Sequence, residues 1–502
     1  MIKRIIENKL AVFFAFLVFI VIYLYYSVAD PILLRYDDDW RYFGIFESHP
    51  IPLVGWWNVT RLLPEHLMPL IGYISSFLVY PLTGDYLVAA SITLAIVKAI
   101  FLMILFLVIY RLFTTLCENK NLNAMLSILT MMIFFAIFKD NPADNEHMFY
   151  SSQYTLYFYY VFPNILNSII ILELLRQIYI RDSLLATPPG LTKGWLFVGI
   201  YFGIFSMLYA AGILFTFSAA VLVWRFYPAF REKGKFLTKL KKFNLDFFKN
   251  YLIAAIIFFG TIIAIPLELS SGRSKEPLDK TYFGSVFSME FAGRIGESVY
   301  NVFLLVRSIN NYVFGLMFLI TTAAFIVCYK KKDFMTNKVI RLALLCLASA
   351  VINFVFIVLV AAKSGPYYIS ETRCAYGVFY FMILFISFLL VHILTELKQL
   401  VICVPLIVVL IFCVMINSSY PYKMSSTDKD KALVNTFIPL FIQADDEGAT
   451  SIDLYVPFNS PEKWGVDCLS ETLYNHKITK NKIIINNYLI CPDDNVYYIL
   501  SE

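Results

Sequence analysis

Three consecutive acids, Asp37, Asp38 and Asp39, stand inside the run Tyr36-Asp-Asp-Asp-Trp40-Arg41-Tyr42. They follow directly on an apolar segment, Leu10 to Ala29, that is long enough to cross a bilayer. Holding charge at such a boundary is costly, so acids kept there point to use. A carboxylate beside two others and shielded by Trp40 is expected to have a raised pKa, which suits it to accept a proton near neutrality. Arg41 is close enough to keep a neighbouring acid ionised. One aspartate is accounted for as the N-cap of a following helix, but three are not. All three are therefore candidate catalytic groups.

Other polar residues that could do chemistry cluster in the same class of loop. Residues 64–70 read Pro-Glu65-His66-Leu-Met-Pro-Leu, and Trp56-Trp57 lie just before them. Glu65, Arg41 and the rings of Trp40, Trp56 and Trp57 could contact a sugar, although aromatic belts at a membrane surface use the same residues. Asp144-Asn145-Glu146-His147 offers carboxylates and an imidazole that could hold a metal ion, contact an acceptor through Glu146 and His147, or form an ordinary polar loop. Glu371-Thr372-Arg373-Cys374 brings an arginine to the start of a late apolar run. A guanidinium suits two phosphate oxygens and stays charged, while an arginine snorkelling to the interface is the plainer alternative. Lys363 and Arg307 are weaker candidates for the same anion.

The elements that must position these residues are membrane helices. Of 502 residues 59% are hydrophobic and only 15% are charged, against about 25% in soluble proteins. Basic clusters at Lys3/Arg4/Lys9, Arg111/Lys120, Arg176/Arg181/Lys193, 225–249, 330–341 and Lys398 belong in the cytoplasm by the positive-inside rule. Spans at about 10–29, 86–110, 123–138, 157–180, 195–209, 211–226, 250–269, 311–329, 340–362, 375–395 and 399–416 satisfy that rule, roughly eleven in all. The N-terminus is then cytoplasmic and the C-terminus external. Segment 67–82 would spoil the alternation, so a helix lying in the outer interface is expected there. Lys98 and Glu173 fall within spans, and a structural pair between them is the expected arrangement.

The chain divides into a membrane part, 1–416, whose first outer loop covers 30–85, and a tail, 417–502, with the composition of a small α/β domain. In the tail, 427–443 suits an amphipathic helix, and 451–457, 483–490 and 496–500 suit strands. An oxidising compartment would let Cys468 and Cys491 pair. No Cys-x-x-Cys spacing suggests zinc or redox chemistry. Asn58-Val-Thr60 and Asn417-Ser-Ser419 match the glycosylation acceptor pattern, which arises often by chance.

Asp38-Asp39-Trp40-Arg41-Tyr42 resembles the Asp-Glu-x-Arg-Tyr pattern that follows the first helix of lipid A aminoarabinose transferases, and is similar to the Asp-Glu pair of protein O-mannosyltransferases. Both belong to the GT-C glycosyltransferases. Residues 65–73, Glu-His-Leu-Met-Pro-Leu-Ile-Gly-Tyr, look like that superfamily's His/Lys-Pro-Pro-Leu-x-Tyr stretch with one proline missing, and Thr83-Gly84-Asp85 looks like its turn into the second span. In overall layout the chain most resembles phage-type serotype-converting O-antigen glucosyltransferases.

The resemblance implies an all-α polytopic enzyme of the bacterial inner membrane with a small α/β periplasmic domain. It implies inverting transfer of a sugar, glucose by the closest layout, from undecaprenyl phosphate to O-antigen on the periplasmic face. Asp38 carries over as the base, with Asp37 and Asp39 in support, and Arg373, with His66, Lys363 or Arg307, as binder of the carrier phosphate. No cofactor, metal or nucleic acid is expected. The expected partners are the lipid-linked donor, a polysaccharide acceptor, membrane lipid, and the enzymes that make and flip the donor. Two other classes stay open. A lipid-linked-sugar flippase would use Lys98 and Glu173, and a membrane acyltransferase would need a histidine such as His49, His66 or His147.

Overall fold

The computed structural model describes residues 8–49, 51, 54, 57–138, 146–181, 191–231, 251–271, 289–331, 336–397, 405, 407–411, 428–457, 466–491 and 497–500. Helices dominate. In chain order they are α1 (Lys9–Leu24), α2 (Asp37–Gly44), α3 (Leu62–Ile74), α4 (Tyr86–Leu116), α5 (Lys120–Ala136), α6 (Tyr154–Arg181), α7 (Leu191–Ile204), α8 (Leu208–Arg231), α9 (Leu252–Leu269), α10 (Met289–Arg307), α11 (Asn311–Lys331), α12 (Lys338–Ser364) and α13 (Tyr376–Leu397). The tail then adds α14 (Asp428–Asp446), β1 (Ser451–Pro457), α15 (Val466–Asn475), β2 (Ile484–Cys491) and β3 (Tyr497–Leu500).

Local sequence explains where several helices begin. Asn8, Asp85, Asn119 and Asn337 each accept hydrogen bonds from the first backbone N–H groups of α1, α4, α5 and α12. Gly84 sits at φ +69° in the turn before α4, a conformation that favours glycine. Among the described residues, eight helices are long and apolar enough to cross a membrane: Lys9–Ala29, Leu62–Thr83, Tyr86–Leu116, Tyr154–Arg181, Leu208–Arg225, Asn311–Lys331, Lys338–Ser364 and Tyr376–Glu396. Shorter apolar helices cover Lys120–Ala136, Gly194–Ile204 and Leu252–Glu268. Leu62–Thr83, which contains the segment 67–82 expected as an interfacial helix, thus meets the length and composition of a span. Of 399–416, Pro405 and residues 407–411 are helical and the rest lies outside the described residues.

The helices bury a continuous core in which α1 packs on α4, α4 on α6, α8 on α12, and α12 on α13. Their outer faces carry exposed Phe13, Phe16, Val21, Phe318, Leu319 and Phe325. A soluble protein seldom leaves so much apolar surface open, whereas lipid covers it at no cost. The chain is a polytopic, all-α membrane protein in its main body.

Glu173 does not pair with Lys98. It binds Arg111 at 3.2 Å and Arg176 at 2.7 Å. Lys98 stands elsewhere in the bundle, with its ammonium 3.6 Å from the Tyr26 ring centre and 4.6 Å from that of Tyr157. The two groups sit at different levels of the bundle: Glu173 meets Arg111, which lies on α4 thirteen residues beyond Lys98, about 20 Å along the helix axis.

The tail's sheet has the order β2-β1-β3, with β1 parallel to β2 and antiparallel to β3. Its helix α15 docks on α2. The Thr472 hydroxyl donates to the Trp40 carbonyl at 2.7 Å, and the Asn475 amide donates to the Gly44 carbonyl at 3.2 Å. The Ser76 hydroxyl donates to the His476 carbonyl at 2.7 Å, and Tyr86 OH meets His476 Nδ1 at 2.5 Å. Gly44 and Gly72 permit this approach, because a Cβ would strike Thr472 at the first and the Phe43 carbonyl at the second. The Cys468 thiol is free and lies beside Asp37, so the tail meets the acid run itself.

Candidate functional site

The three acids open α2, where anionic side chains suit the partial positive charge of a helix start. Their environments differ. Asp39 is wholly buried. It accepts from the backbone N–H of Thr155 at 2.7 Å, the Thr155 hydroxyl at 2.6 Å, and the N–H groups of Arg35 and Tyr36 at 3.2 and 3.3 Å. Burial pushes its carboxyl above the ordinary range, and these four hydrogen bonds oppose that shift. With its lone pairs occupied, Asp39 fastens α2 to the start of α6. Asp37 is half-buried against Cys468, whose thiol is pushed up to about 12 by burial and then by that carboxyl. Asp38 is the exposed member of the three.

Arg41, expected beside one of these acids, turns instead to Glu47, with Nε 2.5 Å from Oε2. Trp40 and Trp57 are buried, 2% and 4% exposed, so their rings pack inside and do not face open solvent. Trp56 lies outside the described residues. Asn58 is also buried, and its side-chain oxygen accepts from the N–H and hydroxyl of Thr60, both at 2.8 Å. That side chain serves a turn and is not presented for glycosylation. Asn417 lies outside the described residues.

The start of α6 is the hub of this end of the bundle. Thr155 holds Asp39. One turn on, Tyr159 donates its hydroxyl to the buried Glu65 carboxylate at 2.9 Å, packs against Tyr42 with centroids 5.6 Å apart, and lies under the Arg61 guanidinium at 5.7 Å. Its neighbour Tyr160 lies under the Arg373 guanidinium at 5.3 Å. The charges of both arginines act on the Tyr160 hydroxyl. Arg61 also faces Glu268 at 3.6 Å, and Arg373 faces Glu371 at 3.2 Å. The Arg373 Nε is buried, with no hydrogen-bond partner among the described residues. Asn164 fixes this arginine's backbone by donating to its carbonyl at 2.9 Å.

Arg61, Tyr159 and Tyr160 escaped the sequence reading. The property that singled out Arg373, a guanidinium that suits phosphate oxygens and stays charged, belongs equally to Arg61. The two tyrosines carry no such signal among 34.

His66 lies on the exposed face of α3. Its Nδ1 donates to the Leu62 carbonyl at 2.7 Å, and its Nε2 meets the Ser48 hydroxyl at 3.1 Å. Lys363 is half-buried with Arg294 of α10 nearby, and Arg307 is exposed at the end of α10. Around Tyr150 the charges of Glu146, Asp30 and Glu371, together with burial, push the hydroxyl up, and Arg373 opposes them.

His147 turns inward, away from the surface role expected for it. Nδ1 accepts from the Phe149 N–H at 3.1 Å, Nε2 meets Tyr26 OH at 3.2 Å, and burial pushes the imidazole down to about 3. Asp144 and Asn145, which completed the suggested metal loop, lie outside the described residues. His147 and Tyr25 are among the residues lining an apolar cavity of about 490 Å³ between α1, α5 and Ile411.

Three π-helical segments, Tyr25–Ala29, Ser75–Val79 and Tyr157–Val161, lie at this same end. Such bulges are rare and concentrate at functional sites. The arrangement can chemically do two things. It presents a carboxylate, Asp38, at the bundle's mouth, and it holds two cations over adjacent tyrosine rings where an anion would be neutralised. Compared with known protein families, curated proteins and solved structures, the chain matches none.

Proposed function

We propose that the chain is a GT-C-type glycosyltransferase that transfers a hexose, glucose being the expected one, from undecaprenyl phosphate to O-antigen polysaccharide. The observation that carries this reading is the division of labour around the start of α6. Asp39 is spent on anchoring, Asp38 is left exposed, and Arg61 and Arg373 lie over the adjacent rings of Tyr159 and Tyr160. Asp38 takes the proton from an acceptor hydroxyl as its oxygen attacks the anomeric carbon. The bond from that carbon to the carrier phosphate breaks with inversion. The released phosphate keeps the electron pair, and its growing charge is stabilised by Arg373 and Arg61. The apolar cavity between α1 and α5 is of a kind that suits an isoprenoid chain.

In this reading the membrane part, 1–416, crosses the bacterial inner membrane about eleven times, with residues 30–85 in the periplasm. The tail, 417–502, is a small periplasmic α/β domain with a supporting role, since α15 braces α2 directly. Incubation of the purified protein with radiolabelled undecaprenyl-phosphate-glucose and O-antigen tests the proposal. Label should pass to polysaccharide with wild type and not with Asp38→Asn, which should still insert and fold. Transfer by Asp38→Asn at the wild-type rate, or no transfer by wild type, would sink it. The flippase reading has lost half of its support, because Glu173 is committed to Arg111 and Arg176.

A further inference from the structure

The loop joining α12 to α13 carries two tyrosines that the proposed mechanism leaves unused. Tyr367 and Tyr368 stand in one short 3₁₀ turn, Pro366–Ser370, with ring centres 4.2 Å apart and planes inclined by 33°. The Tyr367 hydroxyl is hydrogen-bonded to that of Tyr368, which ties the two rings together. Tyr368 is half-buried, whereas Tyr367 is 59% exposed.

The backbone is built to hold this pair. Gly365 sits at φ +147°, a conformation that favours glycine, and a Cβ there would lie 2.9 Å from the Tyr367 ring and 3.1 Å from that of Tyr368. Pro366 fixes the φ that follows. The Asn301 amide of α10 donates to the Pro366 carbonyl at 2.9 Å, and the Ser370 hydroxyl donates to the Tyr367 carbonyl at 2.7 Å. Just before the turn, Ser364 meets the Tyr209 hydroxyl at 2.8 Å. A tyrosine that only anchors a chain in the aromatic belt needs no such fixing. A recognition surface does, because rings ordered in advance lose little entropy when a ligand lands on them.

The pair also adjoins a cation. The Glu371 N–H donates to the Tyr368 carbonyl at 3.2 Å, and the Glu371 carboxylate pairs with Arg373 at 3.2 Å. The Tyr368 hydroxyl acts electrostatically on Tyr160, whose ring lies under the Arg373 guanidinium.

We infer that Tyr367 and Tyr368 form the platform on which the hexose of the lipid-linked donor stacks. This rests on the glycosyltransferase reading, in which Arg373 holds the carrier phosphate. The transferred sugar is bonded directly to that phosphate, so its ring must lie beside Arg373. A pyranose with equatorial hydroxyls presents C–H groups on its faces. Those partly positive hydrogens are drawn to the negative face of an aromatic ring.

Donor binding by the full chain in detergent tests this without any transfer step. The probes are undecaprenyl-phosphate-glucose and methyl undecaprenyl phosphate, a diester of the same charge that lacks the sugar. Tyr367→Leu removes the aromatic face at an exposed position. It should weaken binding of the glucose-bearing lipid about tenfold and change binding of the methyl diester by less than about twofold. Tyr367→Phe keeps the ring and should stay within about threefold of wild type for the glucose-bearing lipid. Equal losses for both lipids in Tyr367→Leu, no loss for either, or a loss in Tyr367→Phe as large as in Tyr367→Leu would overturn the platform and leave the transferase reading standing. If wild type binds neither lipid, the transferase reading falls and the platform falls with it.

Discussion

The two ends of the bundle handle charge in opposite ways. At the end bearing α2, Asp39 is held by uncharged donors, while Arg61 and Arg373 lie over tyrosine rings, each with one carboxylate beside it. At the other end, Glu173 is neutralised by two arginines. Full neutralisation makes a strut. Hydrogen bonds from uncharged donors make Asp39 a strut as well, whereas tyrosine rings beneath Arg61 and Arg373 limit the cost of burying those cations.

The sharpest break in this comparison is Asp38→Asn, which should lower sugar transfer about 10³-fold without shifting the melting temperature. Asp39→Asn should instead lower the yield of folded protein, because its amide would point a donor at backbone N–H groups, which only donate. A fluorescence melt and a transfer assay on the same preparations separate the two outcomes.

Next comes pH. Burial pushes His476 down from 6.5 to about 4, so the fold favours the neutral ring. The stability this gives is complete above pH 6.5 and is lost as pH falls toward 4, by up to about 3 kcal/mol. His476→Phe should flatten that slope. An unchanged melting profile between pH 7 and 4.5 would contradict the buried docking of the tail.

Arg61→Ala should cost about 10²-fold in kcat, close to the effect of Arg373→Ala, if both neutralise the departing phosphate. An effect confined to KM would show that Arg61 only binds. Thr155→Val removes one of Asp39's hydrogen bonds and should destabilise by about 2 kcal/mol in denaturant-linked melts. Glu173→Gln at the other end should cost about 1 kcal/mol and leave transfer within twofold of wild type. A large loss of transfer from that change would erase the contrast between the ends.

Much of the architecture was legible in the residues. Long apolar runs gave the helices, because a membrane segment must satisfy its backbone internally and shows its length directly. The strands of the tail followed from local chemistry, with observed bounds Ser451–Pro457, Ile484–Cys491 and Tyr497–Leu500 within a residue or so of those expected. The site was legible only in its location. Asp37, Asp38 and Asp39 are identical in type and adjacent, so nothing local ranks them. His147 and Arg41 were read as facing a ligand and an acid, but packing gave them Tyr26 and Glu47.

The sequence by itself determined that this is a helical membrane protein with an acid run at the end of its first helix, since both follow from composition and order along the chain. Tertiary structure alone decided that Asp39 is an anchor and Asp38 is open, that Arg61 joins Arg373, and that α15 braces α2. The physical reason is that burial and hydrogen-bond partners come from Thr155, Tyr159, Tyr160 and Thr472, which lie from about a hundred to more than four hundred residues away from the groups they set. A short motif fixes which groups are present, and the packing of distant helices fixes which of them are buried and which exposed.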